Sequence, residues 1–452
     1  MGDVRVGEVH PVTVDSLGAG GVGVGRLSDG RVVFIPRTAT GDQLRVRLRK
    51  VKPRWCQGEL EAVEVPGPAR REAPCSLYST CGGCALQHVE YEVQVEAKGA
   101  QVEDALSRIG GLVELPHVEL HPSPREFHYR NRITLHLQRG VQGAMVAGFR
   151  HRSHPAEVVD MVHECLLPEE EILEVWKGLR NAWGRRAGRL PRGPDLRLTL
   201  RGVKGGGVVL LVEEGEGVTP GRGRVQHASQ ADGEPHTLLE EVPGLSAIWI
   251  QRHHDASPRL LAGDAEVEES WMDEQLPVQP GAFTQVNREA AALLHDLVLE
   301  EVPAPRESTV VDAYCGFGVY GRRLARLGAQ VTGVELDERA VAMGRARRVP
   351  GFTLRTGRVE DLLEELLPAD VVILNPPRGG VDEKVASVLA HGDTPRIIYV
   401  SCDPATLARD LGRLAGSFRL TRLQVVDLFP QTAHVETVAT LDAVKPPVES
   451  QV

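Results

Sequence analysis

The sequence has no long apolar run, few aromatic residues and no excess of basic charge. None of its 452 residues belongs to an apolar stretch near the ~18 residues of a membrane helix, and the start, Met1-Gly-Asp-Val-Arg, lacks the apolar core of a signal peptide. The formal net charge of −10 argues against a protein that coats nucleic acid without specificity. We therefore expect a cytoplasmic protein without membrane contact, in which any nucleic-acid binding depends on a local surface.

Cysteine is also scarce, and its distribution is uneven. Of the seven cysteines, three fall between Cys75 and Cys84. In a chain without an export signal, such a cluster indicates a metal site or catalysis rather than disulfides. The remaining composition, 42% apolar and 25% charged, is that of a globular protein, and the length predicts about two to four domains.

Residues 1–66 have the pattern of a small all-β module. Short apolar runs alternate with turn sequences such as Ser28-Asp-Gly, as in consecutive hairpins. Farther along, Arg45, Arg47 and Arg49 alternate with apolar residues, so one face of a strand carries several cations. A solvated strand and a phosphate-binding face both fit this pattern.

Residues 67–275 predict a β-rich middle domain. Hairpin-like runs include Leu196-Arg-Leu-Thr-Leu and Val208-Val-Leu-Leu-Val. A helix with an apolar stripe from Ile172 to Trp183 is assigned to core packing.

Residues 276–452 alternate strands and helices, which predicts a doubly wound, Rossmann-like α/β sheet. The predicted parallel strands begin near Val310, Gln330, Asp370 and Arg396. The last two strands, near 418–427 and 434–441, are joined too tightly for a helical crossover, and we expect them to pair antiparallel.

The motif Asp312-Ala-Tyr-Cys-Gly-Phe-Gly follows the first of these strands and predicts a nucleoside cofactor. Gly316 and Gly318 allow a ligand to approach the backbone closely, and Glu335 at the end of the next strand can accept hydrogen bonds from ribose hydroxyls. The third glycine of a dinucleotide fingerprint falls one residue late, at Gly321. This favours S-adenosylmethionine over NAD.

Asn375-Pro-Pro, at the end of a later strand, has two interpretations. Open α/β sheets place ligands at this edge, and Asn-Pro-Pro followed by an aromatic residue would suit methylation of an exocyclic amine. Here Arg378 follows instead. A rigid strand exit formed by the two prolines is the structural alternative.

Cys402 and Glu436 are the candidates for catalysis. Cys402 directly follows a predicted strand, and Pro404 opens a helix whose positive end favours a thiolate; a buried structural thiol is the alternative. His434 and Glu436 share one face if both lie on a strand, and Glu436 is the preferred base. A thiolate that adds to carbon 6 of uracil makes carbon 5 nucleophilic, and a carboxylate can then remove the carbon 5 proton.

The cysteine cluster has the spacing of a metal centre. Cys75, Cys81 and Cys84 form C-x5-C-x2-C, and Cys165 is the candidate fourth ligand. Four thiolates suit a 4Fe-4S cluster or tetrahedral zinc, and the spacing does not distinguish them.

Together these motifs resemble the bacterial RNA uracil-5-methyltransferase family. The N-terminal strands, with Gly30-Arg-Val-Val-Phe-Ile-Pro, look like a TRAM domain, an RNA-binding β-barrel, and the C-terminal sheet looks like a class I methyltransferase domain. The shared motifs, in family order, are Phe283-Thr-Gln-Val-Asn, Leu374-Asn-Pro-Pro-Arg, Ser401-Cys-Asp-Pro and Phe429-Pro-Gln-Thr-Ala-His-Val-Glu. The implied domains are a TRAM-like barrel at 1–66, a central iron–sulfur domain at 67–275 and a methyltransferase domain at 276–452.

The resemblance also implies functional residues. It gives S-adenosylmethionine contacts at Gln285, Tyr314, Glu335 and Asn375, a nucleophile at Cys402 and a proton acceptor at Glu436. Cys75, Cys81, Cys84 and Cys165 match the family's 4Fe-4S ligands, so the resemblance selects iron over zinc. Three positions depart from the family pattern: Arg358, Asp403 and Asn375. At position 375 many members have Asp.

The expected enzyme methylates carbon 5 of a uridine in structured RNA, with ribosomal RNA favoured over transfer RNA, and acts as a monomer. Tyr129-Arg-Asn-Arg resembles a family element near the RNA cleft. Two alternatives are an exocyclic-amine methyltransferase that uses Asn375-Pro-Pro and a vestigial RNA-binding iron–sulfur protein.

Overall fold

The computed structural model describes residues 4–139, 144–161, 165–193, 195–215, 232–265, 268–272, 274–277, 280–281 and 284–444. The chain forms two compact units. Unit 1 comprises Met1–Arg71, His88–Pro124 and Ala290–Val452, and unit 2 comprises Glu72–Gln87 and Arg125–Glu289. Within the described ranges, no helix is both long enough and apolar enough to span a bilayer.

The first strands of unit 1 close into a five-stranded barrel. They are β1 (Val9–Gly18), β2 (Val22–Arg26), β3 (Val32–Ile35), β4 (Gln43–Val51) and β5 (Trp55–Val65). The barrel order is β1-β2-β3-β5-β4, in which only β3 and β5 run parallel. Alternate residues such as Val33, Ile35, Leu44 and Val46 are fully buried and fill the barrel interior. The β-barrel predicted at the N-terminus is confirmed.

Two further elements of unit 1 precede most of unit 2 in the chain. They are helix α1 (Tyr91–Arg108) and strand β6 (Val118–His121). The sequence prediction included both in the middle domain.

Unit 2 is built on a seven-stranded sheet. Its elements are β7 (Arg132–Arg139), β8 (Met145–Arg150), β9 (Val158–Asp160), α2 (Glu170–Ala182), β10 (Leu196–Val203), β11 (Gly207–Glu214), α3 (Pro235–Glu241), β12 (Leu245–Gln251) and β13 (Arg259–Gly263), with a separate hairpin of β14 (Glu268–Trp271) and β15 (Glu274–Pro277). The sheet order is β13-β12-β11-β10-β7-β8-β9. The stripe of α2 is buried in this unit's core, as predicted, through residues such as Ile172, Trp176 and Leu179.

The remainder of unit 1 alternates helices and strands. The elements are α4 (Arg288–Glu300), β16 (Thr309–Ala313), α5 (Val319–Arg326), β17 (Gln330–Glu335), α6 (Glu338–Ala346), β18 (Phe352–Thr356), α7 (Val359–Leu362), β19 (Val371–Leu374), α8 (Glu383–His391), β20 (Arg396–Ser401), α9 (Pro404–Leu414), β21 (Phe418–Val426) and β22 (Glu436–Ala443). Short 3-10 turns lie at Ala19–Gly21, Arg185–Ala187, Pro305–Glu307 and Leu363–Leu366.

These strands form one eight-stranded sheet in the order β18-β17-β16-β19-β20-β22-β21-β6. The first five are parallel, whereas β22 runs antiparallel to both of its neighbours, so the Rossmann-like fold and its antiparallel ending are confirmed. Strand β6 pairs in parallel with β21 at the edge of this sheet. The domain limits 1–66, 67–275 and 276–452 stay a prediction, since the compact units have different bounds.

Candidate active site

Four predicted site residues lie at one edge of the sheet in unit 1. Tyr314 follows β16, Glu335 ends β17, Asn375 follows β19 and Cys402 follows β20. Because these strands are parallel, their carboxyl ends meet at the same edge, where open α/β sheets bind ligands.

The turn after β16 is shaped to receive a ligand. Gly316 has φ +60°, and a Cβ built on it would meet no atom within 4 Å, so the space beside this backbone is open. Gly318 has φ +87°, and a Cβ there would lie 2.2 Å from the ring of Phe352. Glycine is therefore required at Gly318 for packing, whereas at Gly316 it leaves room at the site.

The carboxylate of Glu335 is held rigidly beside this turn. Its oxygens accept hydrogen bonds from the backbone N–H groups of Gly316, Leu336 and Asp337, each at 2.8 Å. A carboxylate offers about four acceptor positions, so about one remains for a ribose hydroxyl. The open turn and the neighbouring acid fit a nucleoside cofactor.

Asp312, on β16, connects this strand to helix α5, which follows the turn. One carboxylate oxygen accepts a hydrogen bond from the Gly321 N–H at 2.9 Å, and the other is buried with no hydrogen-bond partner. Burial raises the pKa of Asp312 to about 7.

Tyr314 and Asn375 border the same edge. Tyr314 has φ +60° and packs half-buried against the core, and burial raises the pKa of its hydroxyl. The Asn375 N–H donates to the Ala313 carbonyl at 3.3 Å, which ties the ends of β19 and β16 together.

The pairing of β20 with β22 brings Cys402 and Glu436 together. The last residue pair of this antiparallel ladder is Ser401 with Thr437. Cys402 follows Ser401 and Glu436 precedes Thr437, so these two residues are the next to lie opposite each other. Glu436 is only 5% exposed, and burial raises its pKa to about 8. Burial and the nearby charge of Glu436 raise the pKa of the Cys402 thiol.

Arg378 is the site residue that the sequence analysis did not identify. Its guanidinium lies near the Cys402 thiol, and its charge lowers the pKa of both Cys402 and Glu436 against the effect of burial. The sequence shows Arg378 only as the last residue of the motif Leu374-Asn-Pro-Pro-Arg, in the place where an aromatic residue would suit amine methylation. Its position after the end of β19, at the same edge as Cys402, was the available signal.

The prediction that His434 shares a strand face with Glu436 is wrong. Strand β22 begins at Glu436, so His434 lies in the preceding loop. Its side chain is exposed and contacts the ring of Phe429 edge-on, with 5.7 Å between centroids. Only Glu436 is directed into the interior.

Two departures from the family pattern make local contacts in unit 1. The Asp403 carboxylate accepts a hydrogen bond from the Thr406 N–H at 2.8 Å and caps helix α9. Arg358 is exposed and forms an ion pair with Glu360.

Four cysteines in unit 2 line one pocket. Cys75, Cys81, Cys84 and Cys165 surround it together with the partly buried side chain of Arg130. Burial raises the pKa of Cys84 to about 11 and that of Cys165 to about 12. None of these cysteines forms a disulfide.

The convergence of four thiols fits the donor chemistry of an iron–sulfur cluster. Within the described ranges, however, no group of three or more His, Cys, Asp or Glu side chains is arranged to hold a metal ion. The predicted metal site is therefore an assembly of donors around a pocket rather than a formed single-ion site.

Gln285 belongs to unit 2, and its backbone is fixed there. The Asn131 side-chain N–H donates to the Gln285 carbonyl at 3.0 Å, and the Asn131 backbone N–H donates to Val286 at 2.8 Å. Phe283, which begins this motif, lies outside the described residues.

The predicted basic face of the barrel is compensated by acids. Arg45, Arg47 and Arg49 on β4 each form a cross-strand ion pair with β5, to Glu64, Glu61 and Glu59 respectively. The cations predicted on this face are present, but each is paired with an acid, so the face carries balanced charge.

The hairpin 50–55, between β4 and β5, has a different character. Lys50 lies over the Trp55 ring, 5.3 Å from its centroid, and Phe34 meets the same ring edge-on at 6.2 Å. Lys52 and Arg54 are exposed and have no acidic partner in the described part of the chain. The hairpin combines net positive charge with aromatic surface.

The fold and this edge define a class I methyltransferase that carries an N-terminal β-barrel. Comparison with protein families agrees: residues 3–60 match the TRAM domain, 275–390 the methyltransferase small domain, and 355–444 the tRNA (uracil-5-)-methyltransferase family. The chain belongs to the S-adenosylmethionine-dependent RNA uracil-5-methyltransferase family.

Relatives match over nearly the whole length. RNA methyltransferases of Gloeobacter violaceus and Synechocystis are 35% and 33% identical, covering 98% and 97% of this chain and 98% and 96% of their own. The Pyrococcus abyssi tRNA (uracil-54, C5)-methyltransferase, solved with S-adenosyl-L-homocysteine, superposes with a TM-score of 0.70 at 26% identity, covering 95% of this chain and 100% of that one.

Proposed function

We propose that this enzyme methylates carbon 5 of a uridine in structured RNA, with Cys402 as nucleophile and Glu436 as proton acceptor. The observation that carries the proposal is the ladder register that makes Cys402 and Glu436 neighbours at the carboxyl edge of the sheet. Ribosomal RNA is the favoured substrate class, and transfer RNA is its alternative.

Cys402 acts first. Its thiolate sulfur bonds to carbon 6 of the uracil, and the electron pair of the carbon 5–carbon 6 double bond moves toward the carbonyl oxygen on carbon 4. Arg378 supports this step because its positive charge beside the sulfur favours the thiolate, which burial disfavours. Carbon 5 is then nucleophilic enough to accept a methyl group.

Glu436 acts second. Its carboxylate takes the proton from carbon 5, the electron pair of that bond restores the carbon 5–carbon 6 double bond, and the carbon 6–sulfur bond breaks to return the thiolate. A carboxyl group whose pKa burial raises to about 8 is a stronger base than an exposed glutamate once it is ionised.

The cofactor contacts proposed are Tyr314, Gly316, Glu335 and Asn375 and, from the family resemblance, Gln285. S-Adenosylmethionine, when bound, supplies an electrophilic methyl group. The open backbone at Gly316 and the fixed carboxylate of Glu335 would orient its nucleoside. Asn375 can accept hydrogen bonds through its amide oxygen but carries no charge.

We also propose that Cys75, Cys81, Cys84 and Cys165 hold a 4Fe-4S cluster. Their shared pocket supports this assignment, and the Arg130 guanidinium that lines it would balance part of the negative charge of four thiolates.

For the RNA, the hairpin 50–55 is the proposed contact on the barrel. Its uncompensated cations attract phosphates, and Trp55 offers a ring on which a base can stack. The arginine face of β4 lacks this advantage because each arginine is paired with a glutamate.

The test is nucleoside mass spectrometry of unmodified ribosomal and transfer RNA, incubated with anaerobically purified enzyme and S-adenosylmethionine. We expect new 5-methyluridine with the unaltered enzyme and none with Cys402→Ala. The RNA that gains the methyl group identifies the substrate class.

Other results would contradict the proposal. Methylation of an exocyclic amine that survives Cys402→Ala would favour the Asn375-Pro-Pro alternative. If the protein binds both S-adenosylmethionine and RNA but methylates no nucleoside, the alternative of a vestigial RNA-binding protein would be favoured.

A further inference from the structure

The loop that delivers Glu436 is held by helix α1. This loop, residues 427–435, joins β21 to β22 and ends directly before Glu436; we call it the base loop. Two polar side chains of α1, Gln94 and Lys98, are both buried. They are four residues apart, so they lie on the same face of the helix.

Lys98 binds the beginning of the base loop. Its ammonium group is 2% exposed and donates to the Asp427 carboxylate at 2.6 Å and to the Phe429 carbonyl at 3.2 Å. The same Asp427 oxygen accepts a hydrogen bond from the Phe429 N–H at 3.1 Å. The other Asp427 oxygen is buried and has no hydrogen-bond partner in the described part of the chain. Removing either member of this pair would leave a buried charge uncompensated, so the pair restrains the loop.

Gln94 binds the middle of the base loop. Its amide oxygen accepts a hydrogen bond from the Gln431 N–H at 3.1 Å, and its amide nitrogen donates to the Gln431 side-chain oxygen at 3.0 Å. Gln431 is fully buried with φ +68°, a conformation that a residue with a side chain adopts only at a cost. Both hydrogen bonds help to offset that cost.

Bonds within the base loop continue this restraint toward Glu436. The Thr432 hydroxyl donates to the Phe429 carbonyl at 2.8 Å and accepts from the His434 N–H at 3.3 Å. An unbroken series of contacts therefore runs from α1 to the residue two positions before Glu436.

We propose that Gln94 and Lys98 are positioning residues that set the Glu436 carboxylate against carbon 5 of the substrate. This inference rests on the proposed function, since it needs Glu436 to be the proton acceptor. Neither residue touches the reacting atoms. Their effect is on the distance and angle of the carboxylate, to which proton transfer is sensitive.

The inference predicts that one half of the reaction depends on α1. Cys402 lies after β20, outside the base loop, so bond formation to carbon 6 and methylation do not need the loop in place. Removal of the carbon 5 proton does. Loosening the loop should therefore leave methylated RNA bound to Cys402.

The experiment measures the ratio of denaturation-resistant protein–RNA adduct to released 5-methyluridine. The variants are Gln94→Ala, Gln94→Met and Lys98→Met, with Lys98→Arg as the conservative variant and Glu436→Gln as the reference for loss of the base. We expect the ratio to rise about tenfold or more in the first three and to fall back toward that of the unaltered enzyme in Lys98→Arg.

Arg422→Met is the matched control. Arg422 lies on β21. It binds the Glu119 carboxylate of β6 at 2.7 Å through two nitrogens and also pairs with Glu301, so its loss breaks two ion pairs in unit 1 without touching the base loop. The thermal shift on adding S-adenosylhomocysteine identifies folded variants; Gln94→Met keeps the test available if Gln94→Ala is unfolded.

The results separate the two levels of the proposal. If Glu436→Gln does not accumulate adduct, the assigned role of Glu436 fails, and the inference fails with it. If Glu436→Gln accumulates adduct but the Gln94 and Lys98 variants do not, the proposed function stands and the positioning role is wrong. A rise of equal size in Arg422→Met would also overturn it, because general loosening of the sheet would then suffice.

Discussion

At the residue scale, burial and charge have opposite effects on Cys402 and Glu436 at the carboxyl edge of the sheet. Burial favours the neutral forms of Cys402 and Glu436, and the charge of Arg378 favours their ionised forms. Arg378 is therefore the neighbouring charge that favours the Cys402 thiolate.

Replacing Arg378 tests this dependence. In Arg378→Met the pKa of Cys402 should rise further, because the opposing charge is lost while burial is not. The pH dependence of iodoacetamide alkylation, followed on the Cys402 peptide by mass spectrometry, measures the shift. Arg355→Met, which removes an arginine that pairs with Glu365, should leave the profile unchanged, and a shift of equal size there would contradict the assignment.

The raised pKa of Glu436 leads to a second prediction, which concerns the stability of the fold. A carboxyl with a folded pKa of about 8 holds its proton where the unfolded chain has already lost it, from about pH 4.5 upward. The free energy of unfolding therefore falls as pH rises from about 4.5 to 8. Glu436→Gln removes this loss, so its melting temperature should exceed that of the unaltered protein, by a margin that widens over this range.

Calorimetry at pH 5, 6.5 and 8 measures the difference in melting temperature between the two proteins. In a unit of this size, a change of 1 kcal/mol in the free energy of unfolding shifts the melting temperature by about 2–4 °C. A constant difference across these three pH values would show that Glu436 is not buried as the structure has it.

The sequence predicted several of these residues because strand ends can be located from hydrophobic runs. Glu335 and Cys402 each stand where a buried strand stops, and parallel strands bring such positions to one edge. Arg378 escaped prediction because two prolines separate it from β19 and its direction depends on tertiary structure. Gln285 was reached by resemblance alone, since a glutamine before a helix has no distinguishing pattern.

At the scale of elements, strand β4 shows why charge counted along one strand is misleading. Its three alternating arginines predicted a basic face, but the pairing of β5 supplies an acid opposite each. Cross-strand partners are not visible in the spacing of a single strand.

The neighbouring hairpin gives the element-scale prediction. The triple variant Lys50→Gln/Lys52→Gln/Arg54→Gln should lower the salt slope of RNA binding by about 2 to 3, with weaker affinity at low salt, because each cation releases counterions when it meets a phosphate. Fluorescence anisotropy with a labelled substrate RNA across a salt series measures both quantities.

The matched variant Arg47→Gln/Glu61→Gln/Arg49→Gln/Glu59→Gln removes two ion pairs at constant net charge. It should leave the slope nearly unchanged. If the hairpin variant and this control had equal slopes, the hairpin would not be the RNA contact.

Strand β6 was missed for a related reason. It has only four residues, Val118-Glu-Leu-His, and the strand it pairs with lies near the other end of the chain. Local pattern carries no information about such a partner.

At the scale of the whole molecule, each of the two units has its own core. The pocket formed by the four cysteines lies within unit 2, so a cluster bound there should stabilise that unit.

The variant Cys84→Ser, which lacks one proposed ligand of the cluster, tests whether the cluster stabilises unit 2 alone. Anaerobically purified protein should contain about four irons per chain and Cys84→Ser much less. In hydrogen exchange, the Cys84→Ser variant should lose protection around 75–87 and 145–161 while β16, β19 and β20 stay protected. Zinc in place of iron, or equal loss of protection in both units, would contradict the prediction.

The edge pairing of β6 has a consequence for how the protein is made. About 300 residues separate His121 from Phe418, where β21 begins. At about 5–20 residues per second, the ribosome needs roughly 15–60 s to produce the partner of β6 after β6 itself has emerged. Throughout that interval the nascent chain carries an unsatisfied strand edge and Lys98 without its Asp427 partner, so early release or a premature stop yields a fragment prone to aggregate.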